Sequence, residues 1–233
     1  MHILIISGGY LNLPFAKEYC KTLSADKVFV VDKGLEYADT LQILPDVILG
    51  DFDTVDKSLL SRYEERVLAG ELKACIERYP AKKDASDTEL ALMKAIEMEA
   101  DEVTMLAGTG SRLDHVLMNM ELLLMAERAA VNCYMVDETN RIQMLSDEAR
   151  TEVIIQRKKQ HGKYLSVIPF SPVVKGLTMS GVAYPLKDKE ILSGNTLTVS
   201  NRITEPAAII SLKQGSIWVI ESKDKGNKKY HYL

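Results

Sequence analysis

The chain has 233 residues, 46% of them hydrophobic and 27% charged, the composition of an ordinary globular protein with enough length to bury one large core or two modest ones. Its formal net charge of −4 and pI near 5.7 argue against a broad basic field for nucleic acid and favour a small-molecule ligand. Cys20, Cys75 and Cys133 are widely spaced, form no zinc pattern and read as reduced thiols, and no apolar run reaches the length of a membrane span. The apolar start meets Gly8 and Gly9 too soon for a signal-peptide core, so the expected compartment is the cytoplasm.

In chain order, short apolar runs predict strands over residues 2–7, 27–32, 46–50, 75–79, 102–107 and 131–136. Helical spacing predicts helices over 88–100 and 113–129. In the second of these, Leu113, Val116, Leu117, Met120, Leu123 and Leu124 form a stripe expected to pack on the sheet. This alternation is the rhythm of an α/β domain with a mostly parallel sheet in three layers. From about residue 140 the pattern turns to short β-branched runs broken by Gly, Pro, Asn and Ser, predicting strands over 153–156, 164–168, 173–179, 196–200, 207–212 and 216–221. The expected organisation is an α/β domain over 1–145 and an all-β sandwich over 146–233. The basic tail carrying Lys223, Lys225, Lys228 and Lys229 reads as a solvated turn.

Polar chemistry gathers where strands of the first domain should end. Gly50-Asp51-Phe52-Asp53-Thr54 follows a buried strand, and in extended chain Asp51 and Asp53 point to one side while Phe52 points to the other. Such a pair repels itself unless a cation intervenes, and magnesium favours one or two carboxylates together with waters and phosphate oxygens. Turn formation or helix capping is the competing explanation. Lys83, Asp84, Ser86, Asp87 and Glu89 cluster ahead of the next helix. Capping accounts for Ser86 or Asp87, whereas Lys83 beside Asp84 suits a metal–phosphate site. The third cluster is Gly108-Thr109-Gly110-Ser111-Arg112-Leu113-Asp114-His115. It is neither a Walker loop nor a dinucleotide fingerprint. Its glycines nevertheless permit close approach to an anion, Arg112 can grip phosphate, and Asp114 or His115 can position a hydroxyl.

Together with Val31-Asp32-Lys33-Gly34, Pro45-Asp46 and Asn119, these segments resemble the thiamine pyrophosphokinase family in order and interval along the whole chain. The resemblance implies an amino-terminal nucleotide domain, a carboxyl-terminal thiamine-binding β-sandwich, and a homodimer with active sites between subunits. It also implies transfer of the diphosphate of ATP to thiamine with Mg2+, releasing AMP. On that basis Asp51, Asp53 and Asp84 are expected around the metal, with Asp87 assisting. Lys83 and Arg112 are expected on phosphate, and Asp114 and His115 at the reacting hydroxyl. Asp32, Gly34, Gly108, Thr109 and Gly110 are expected near the nucleotide, and Ser200 and Asn201 near thiamine, with Tyr184 and Trp218 as further candidates. The family's glycine loop usually has a second adjacent glycine where Ser111 stands, and Arg202 replaces an acidic residue after Ser200-Asn201. Another magnesium-dependent nucleotide phosphotransferase or hydrolase with a different acceptor, or a binding regulator without turnover, would fit the same clusters; a substrate screen separates them.

Overall fold

The computed structural model describes residues 1–110 and 112–226. Ser111, Lys228 and Lys229 lie outside the described residues. The chain divides into two compact units, Met1–Glu138 and Thr139–Leu233. This division falls ahead of the position near 145 read from the sequence, because residues 140–146 form a strand that pairs with residues 216–222.

The first unit runs β1 (His2–Ile6), α1 (Leu13–Thr22), β2 (Lys27–Val31), α2 (Gly34–Leu41), β3 (Val47–Gly50), α3 (Lys57–Leu68), β4 (Cys75–Arg78), α4 (Asp87–Glu97), β5 (Glu102–Leu106), α5 (Leu113–Arg128) and β6 (Asn132–Val136). Its strands pair in parallel in the order β4-β3-β2-β1-β5-β6. Near-continuous apolar runs such as Ile3-Leu4-Ile5-Ile6 suit strands covered on both faces. Leu4, Ile6, Val30 and Ile48 pack with Leu35 and Ala38 of α2 and Leu60 and Tyr63 of α3, and α4 contacts β1, β2 and β3 and packs on α5. Successive strand residues face opposite ways, so the helices form a layer on each face of the sheet.

The sequence reading omitted α1, α2 and α3, although two of them carry legible start signals. Asn12 caps α1 by accepting from Phe15 N–H, with Pro14 in the first turn. Asp56 caps α3 by accepting from Leu59 N–H at 2.8 Å. The stripe on α5 also departs from expectation: Leu122, Leu123 and Ala126 are buried, but Leu113 and Leu117 are 75% and 58% exposed, as is Met118 at 55%. Only the second half of α5 seals the sheet.

The second unit continues with β7 (Asn140–Ser146), β8 (Glu152–Gln156), β9 (Tyr164–Pro169), β10 (Val173–Ser180), β11 (Leu186–Leu192), β12 (Ala207–Ser211) and β13 (Ser216–Ser222). Antiparallel β7-β13-β9 and β11-β10-β12-β8 enclose Leu145, Val167, Ile217 and Val219 against Leu177, Met179, Ala208 and Ile210. Each of the Leu, Val, Ile and Met side chains contributes roughly 1.5–3 kcal/mol when fully buried. The strand predicted over 196–200 is instead a turn, closed by Val199 N–H on Thr196 carbonyl at 3.2 Å. Thr198 is buried and donates to the Val167 carbonyl, so the β-branched residues there serve an inward anchor rather than a ladder. β11, Leu-Lys-Asp-Lys-Glu-Ile-Leu, was missed because charged residues disfavour strands. It is an edge strand whose irregular pairing with β10 and exposed charges blunt further pairing.

Candidate active site

Strand order reverses between β1 and β5, which makes their carboxyl ends the expected ligand position of an open α/β sheet. Two glycine loops meet there. Beyond the strands, Ser7 N–H donates to Leu106 carbonyl at 2.9 Å and Gly9 N–H to Ala107 carbonyl at 3.1 Å. A Cβ on Gly9 would lie 2.3 Å from the Ala107 oxygen, and one on Gly110 would lie 2.9 Å from Tyr10 nitrogen. Only glycine permits that approach. Buried Asn119 of α5 ties the second loop down, donating to the Gly108 carbonyl at 2.9 Å.

These loops border a cleft of about 550 Å³, a size suited to a nucleotide-scale ligand. Ser7, Gly8 and Gly9 line it from β1, Asp32 from β2, Gly108 and Gly110 from β5. The segment before α4 contributes Lys83, Asp84, Ser86 and Asp87, and the start of α5 contributes Arg112, Asp114, His115 and Met118. Gly34 and Thr109 do not line it. Gly34 is needed for packing, since a Cβ would fall 2.0 Å from the Ile6 carbonyl oxygen. The contribution of Ser7, Gly8 and Gly9 was missed in the sequence, although a glycine pair directly after the first strand is the available signal. Met118, three residues beyond His115, carried no signal apart from that spacing.

A carboxylate cluster stands beside the cleft. Asp32 follows β2 in the left-handed region, φ 47; its Oδ1 accepts from Phe52 N–H at 3.2 Å and occupies the space a Gly50 side chain would need, 1.9 Å from that Cβ. Burial, then the charge of Asp87, pushes the Asp32 carboxyl up to about 6; Asp51 adds to the rise and Lys83 opposes it. Asp53 is raised first by the charge of Asp51 and also feels Asp87. Asp51 Oδ1 accepts from the Asp53 N–H at 3.0 Å. Asp87 is paired with Lys83 at 2.7 Å, both side chains being largely buried. Ser86 takes the capping role, in a capping box with Glu89, and so leaves Asp87 to the cluster.

Asp84 lines the cleft but is not among the charges that act most on Asp32 or Asp53, whereas Asp87 is. Asp51 and Asp53 do not line this cleft. Among the described residues no three His, Cys, Asp or Glu side chains converge to hold a metal ion. The donor set still fits a hard divalent cation held by one or two carboxylates plus water and phosphate oxygens, because mutual repulsion between Asp51 and Asp53 is what such a cation relieves.

At the start of α5, Arg112 forks onto Asp114, with Nε–Oδ1 at 3.2 Å and Nη2–Oδ2 at 2.5 Å. That bond holds Asp114 below the usual carboxylate range. Asp114 Oδ1 also accepts from its neighbour His115 N–H at 3.0 Å, and the N-cap residue makes no side-chain cap, which leaves anion-binding capacity at the helix start.

In the second unit, Asn201 is 4% exposed and its amide is committed to the fold. It accepts from Tyr184 N–H at 3.0 Å and Arg202 N–H at 2.9 Å, and donates to the Tyr184 carbonyl at 2.8 Å. Ser200, exposed and at φ 61, is fixed through its N–H to Ser166 Oγ. Tyr184 is 71% exposed, and Trp218 meets Phe170 edge-on at 5.1 Å. All three cysteines are free thiols.

A parallel sheet with paired glycine loops, cationic side chains and carboxylates around its switch point defines an α/β protein built to hold a phosphorylated ligand at its carboxyl edge. Comparison with known proteins narrows this class. The family model for "Thiamin pyrophosphokinase, catalytic domain" matches residues 20–135, and that for "Thiamin pyrophosphokinase, vitamin B1 binding domain" matches residues 151–217. The chain is 31% identical to the thiamine pyrophosphokinase of Bacillus subtilis over 95% of its own length and 99% of the relative's. The solved structure of a B. subtilis thiamine pyrophosphokinase superposes with a TM-score of 0.83 at 28% identity, covering 97% of this chain and 100% of that one. A structure from Geobacillus thermodenitrificans superposes with a TM-score of 0.80 at 27% identity, covering 97% and 99%. The chain belongs to the thiamine pyrophosphokinase family.

Proposed function

We propose that this chain transfers the terminal diphosphate of ATP to the primary hydroxyl of thiamine, giving thiamine diphosphate and AMP. The observation that carries the reading is the gathering of both glycine loops, Lys83, Arg112 and the Asp32–Asp87 neighbourhood around one cleft, in a chain that matches a thiamine pyrophosphokinase from end to end. The thiamine oxygen attacks the β-phosphorus, the bond from that phosphorus to the oxygen bridging the α-phosphate breaks, and the hydroxyl proton is released.

Lys83 turns from Asp87 to meet phosphate charge, and Arg112 turns its fork from Asp114 to grip phosphate oxygens bidentately. The backbone of Gly108 and Gly110 accommodates the phosphate chain, and Asp32, in the wall of the cleft, also holds the Asp51 loop through the Phe52 N–H. Asp114 and His115 orient the attacking hydroxyl. Asp51 and Asp53 would hold magnesium, with Asp84 and Asp87 placed to assist, and the ion would supply neutralisation of phosphate charge. Positioning and charge neutralisation account for most of the acceleration expected for a loose phosphoryl-type transition state.

Thiamine is a flat cation, and the β-sandwich unit supplies its recognition through exposed Tyr184 and Ser200, with Asn201 shaping their loop. The enzyme acts as a homodimer in the cytoplasm. The exposed Leu113, Leu117 and Met118 support a second copy as a partner, and among the described residues no helix is long and apolar enough to cross a membrane.

The test is to incubate the purified chain with ATP, Mg2+ and thiamine and to quantify AMP and thiamine diphosphate together. Equal amounts of both, lost in Asp51→Asn, support the reading. ATP breakdown without a thiamine product overturns it in favour of another acceptor.

A further inference from the structure

Phe52 is held in a conformation that an aromatic residue rarely adopts. Its backbone lies at φ 60 while its ring is only 5% exposed and belongs to the core between the sheet and α2 and α3. Bulky side chains in the left-handed region are strained, and such residues persist only where their surroundings over-determine them. Asp51 and Asp53 flank this residue, close enough that Asp51 Oδ1 accepts from the Asp53 N–H at 3.0 Å, and their like charges repel. Without restraint, both the strain and the repulsion favour opening of the loop.

Three restraints act on Phe52. The core holds the ring, and the Asp32 carboxylate accepts from its N–H at 3.2 Å. The third comes from Arg78, the last residue of the edge strand β4 and the register partner of Gly50. Its guanidinium carbon lies 5.1 Å from the Phe52 ring centroid, and its Nη2 is paired with Glu64 of α3. Tyr79, the next residue, donates its N–H to the Gly50 carbonyl at 2.9 Å, so the end of β4 braces the end of β3 where the acidic loop begins.

We propose that Arg78 is a positioning residue for the Asp51–Asp53 pair, acting through the ring of Phe52 and aimed by Glu64. Its importance to turnover rests on the diphosphate-transfer reading; its hold on the loop does not. A planar guanidinium can stack on the ring and keep its ion pair at once, which a lysine ammonium does less well. An ion pair that merely joined β4 to α3 would affect those elements and leave the loop unchanged.

The experiment uses the full chain in two measurements. In metal-free protein, amide hydrogen exchange is followed for residues 50–54 in the wild type, Arg78→Ala, Arg78→Lys and Glu64→Gln. Loss of a half-exposed cation–π contact should speed exchange in Arg78→Ala by about threefold to fivefold, with β1 and β5 unchanged. Arg78→Lys should fall between, and Glu64→Gln should shift least. In parallel, the Mg2+ concentration giving half-maximal AMP formation should rise by a similar factor in Arg78→Ala, with KM for thiamine unchanged. Exchange of 50–54 at the wild-type rate in Arg78→Ala overturns the proposal, as does equal acceleration throughout β4 and α3. Faster exchange confined to the loop in a chain whose wild type forms no AMP supports the hold on Phe52 and instead removes the diphosphate-transfer reading.

Discussion

Adding a single methyl group at Gly9 tests whether the two glycine loops must touch. The Cβ of Gly9→Ala would sit 2.3 Å from the Ala107 carbonyl oxygen and 3.3 Å from Gly110 Cα. Both obstacles are backbone, so no side chain can swing aside, and the β1 and β5 loops must separate. Overpacking of this kind costs about 1–3 kcal/mol, which corresponds to a Tm drop of roughly 3–10 °C for a chain of this size. Gly8→Ala is the control, because its nearest neighbours lie 3.6 Å away and its stability should stay within about 0.5 kcal/mol of the wild type. Thermal unfolding by circular dichroism measures the first effect, and calorimetric titration with ATP and Mg2+ measures affinity. Gly9→Ala should lose both stability and nucleotide affinity. If it melts with the wild type and binds equally well, the close approach of the loops is not what shapes the cleft.

Other expectations follow from the same geometry. Asp32 has its carboxyl raised from an ordinary value of 3.8 to about 6, so its contribution to stability is fully present below pH 3.8 and is lost as pH rises through about 6. The difference in urea midpoint between wild type and Asp32→Asn should therefore move against the wild type across pH 4–7, and a pH-independent difference would refute the assignment. Asp51→Asn should lower kcat by about 100-fold or more, with Asp84→Asn less damaging than Asp87→Asn, as steady-state kinetics at saturating Mg2+ will show. Asn119→Ala leaves the buried Gly108 carbonyl without its partner and should cost about 1–3 kcal/mol in denaturant unfolding. Arg112→Lys should raise KM for ATP more than KM for thiamine, since the bidentate fork is lost.

The sequence by itself determined the larger plan of this protein. Apolar runs of strand length followed by polar turn residues placed β1 to β6 within a residue or so; apart from the exposed edge strand β4, these strands are largely buried and leave a near-continuous hydrophobic signature. It also marked the three polar clusters, since carboxylates, glycines and cations at successive strand ends have few structural uses. Tertiary structure alone decided which members of those clusters meet. Asp87 acts on both Asp32 and Asp53, while the capping box assigns the helix start to Ser86. Gly34 proved to be a packing glycine beneath Ile6, and Asn201 a loop anchor with its amide already committed. The restraint of Arg78 on Phe52 joins residues remote in sequence across parallel strands. Local periodicity carries the identity of an element, whereas register between strands and the direction of a side chain at a loop depend on contacts that no local pattern encodes.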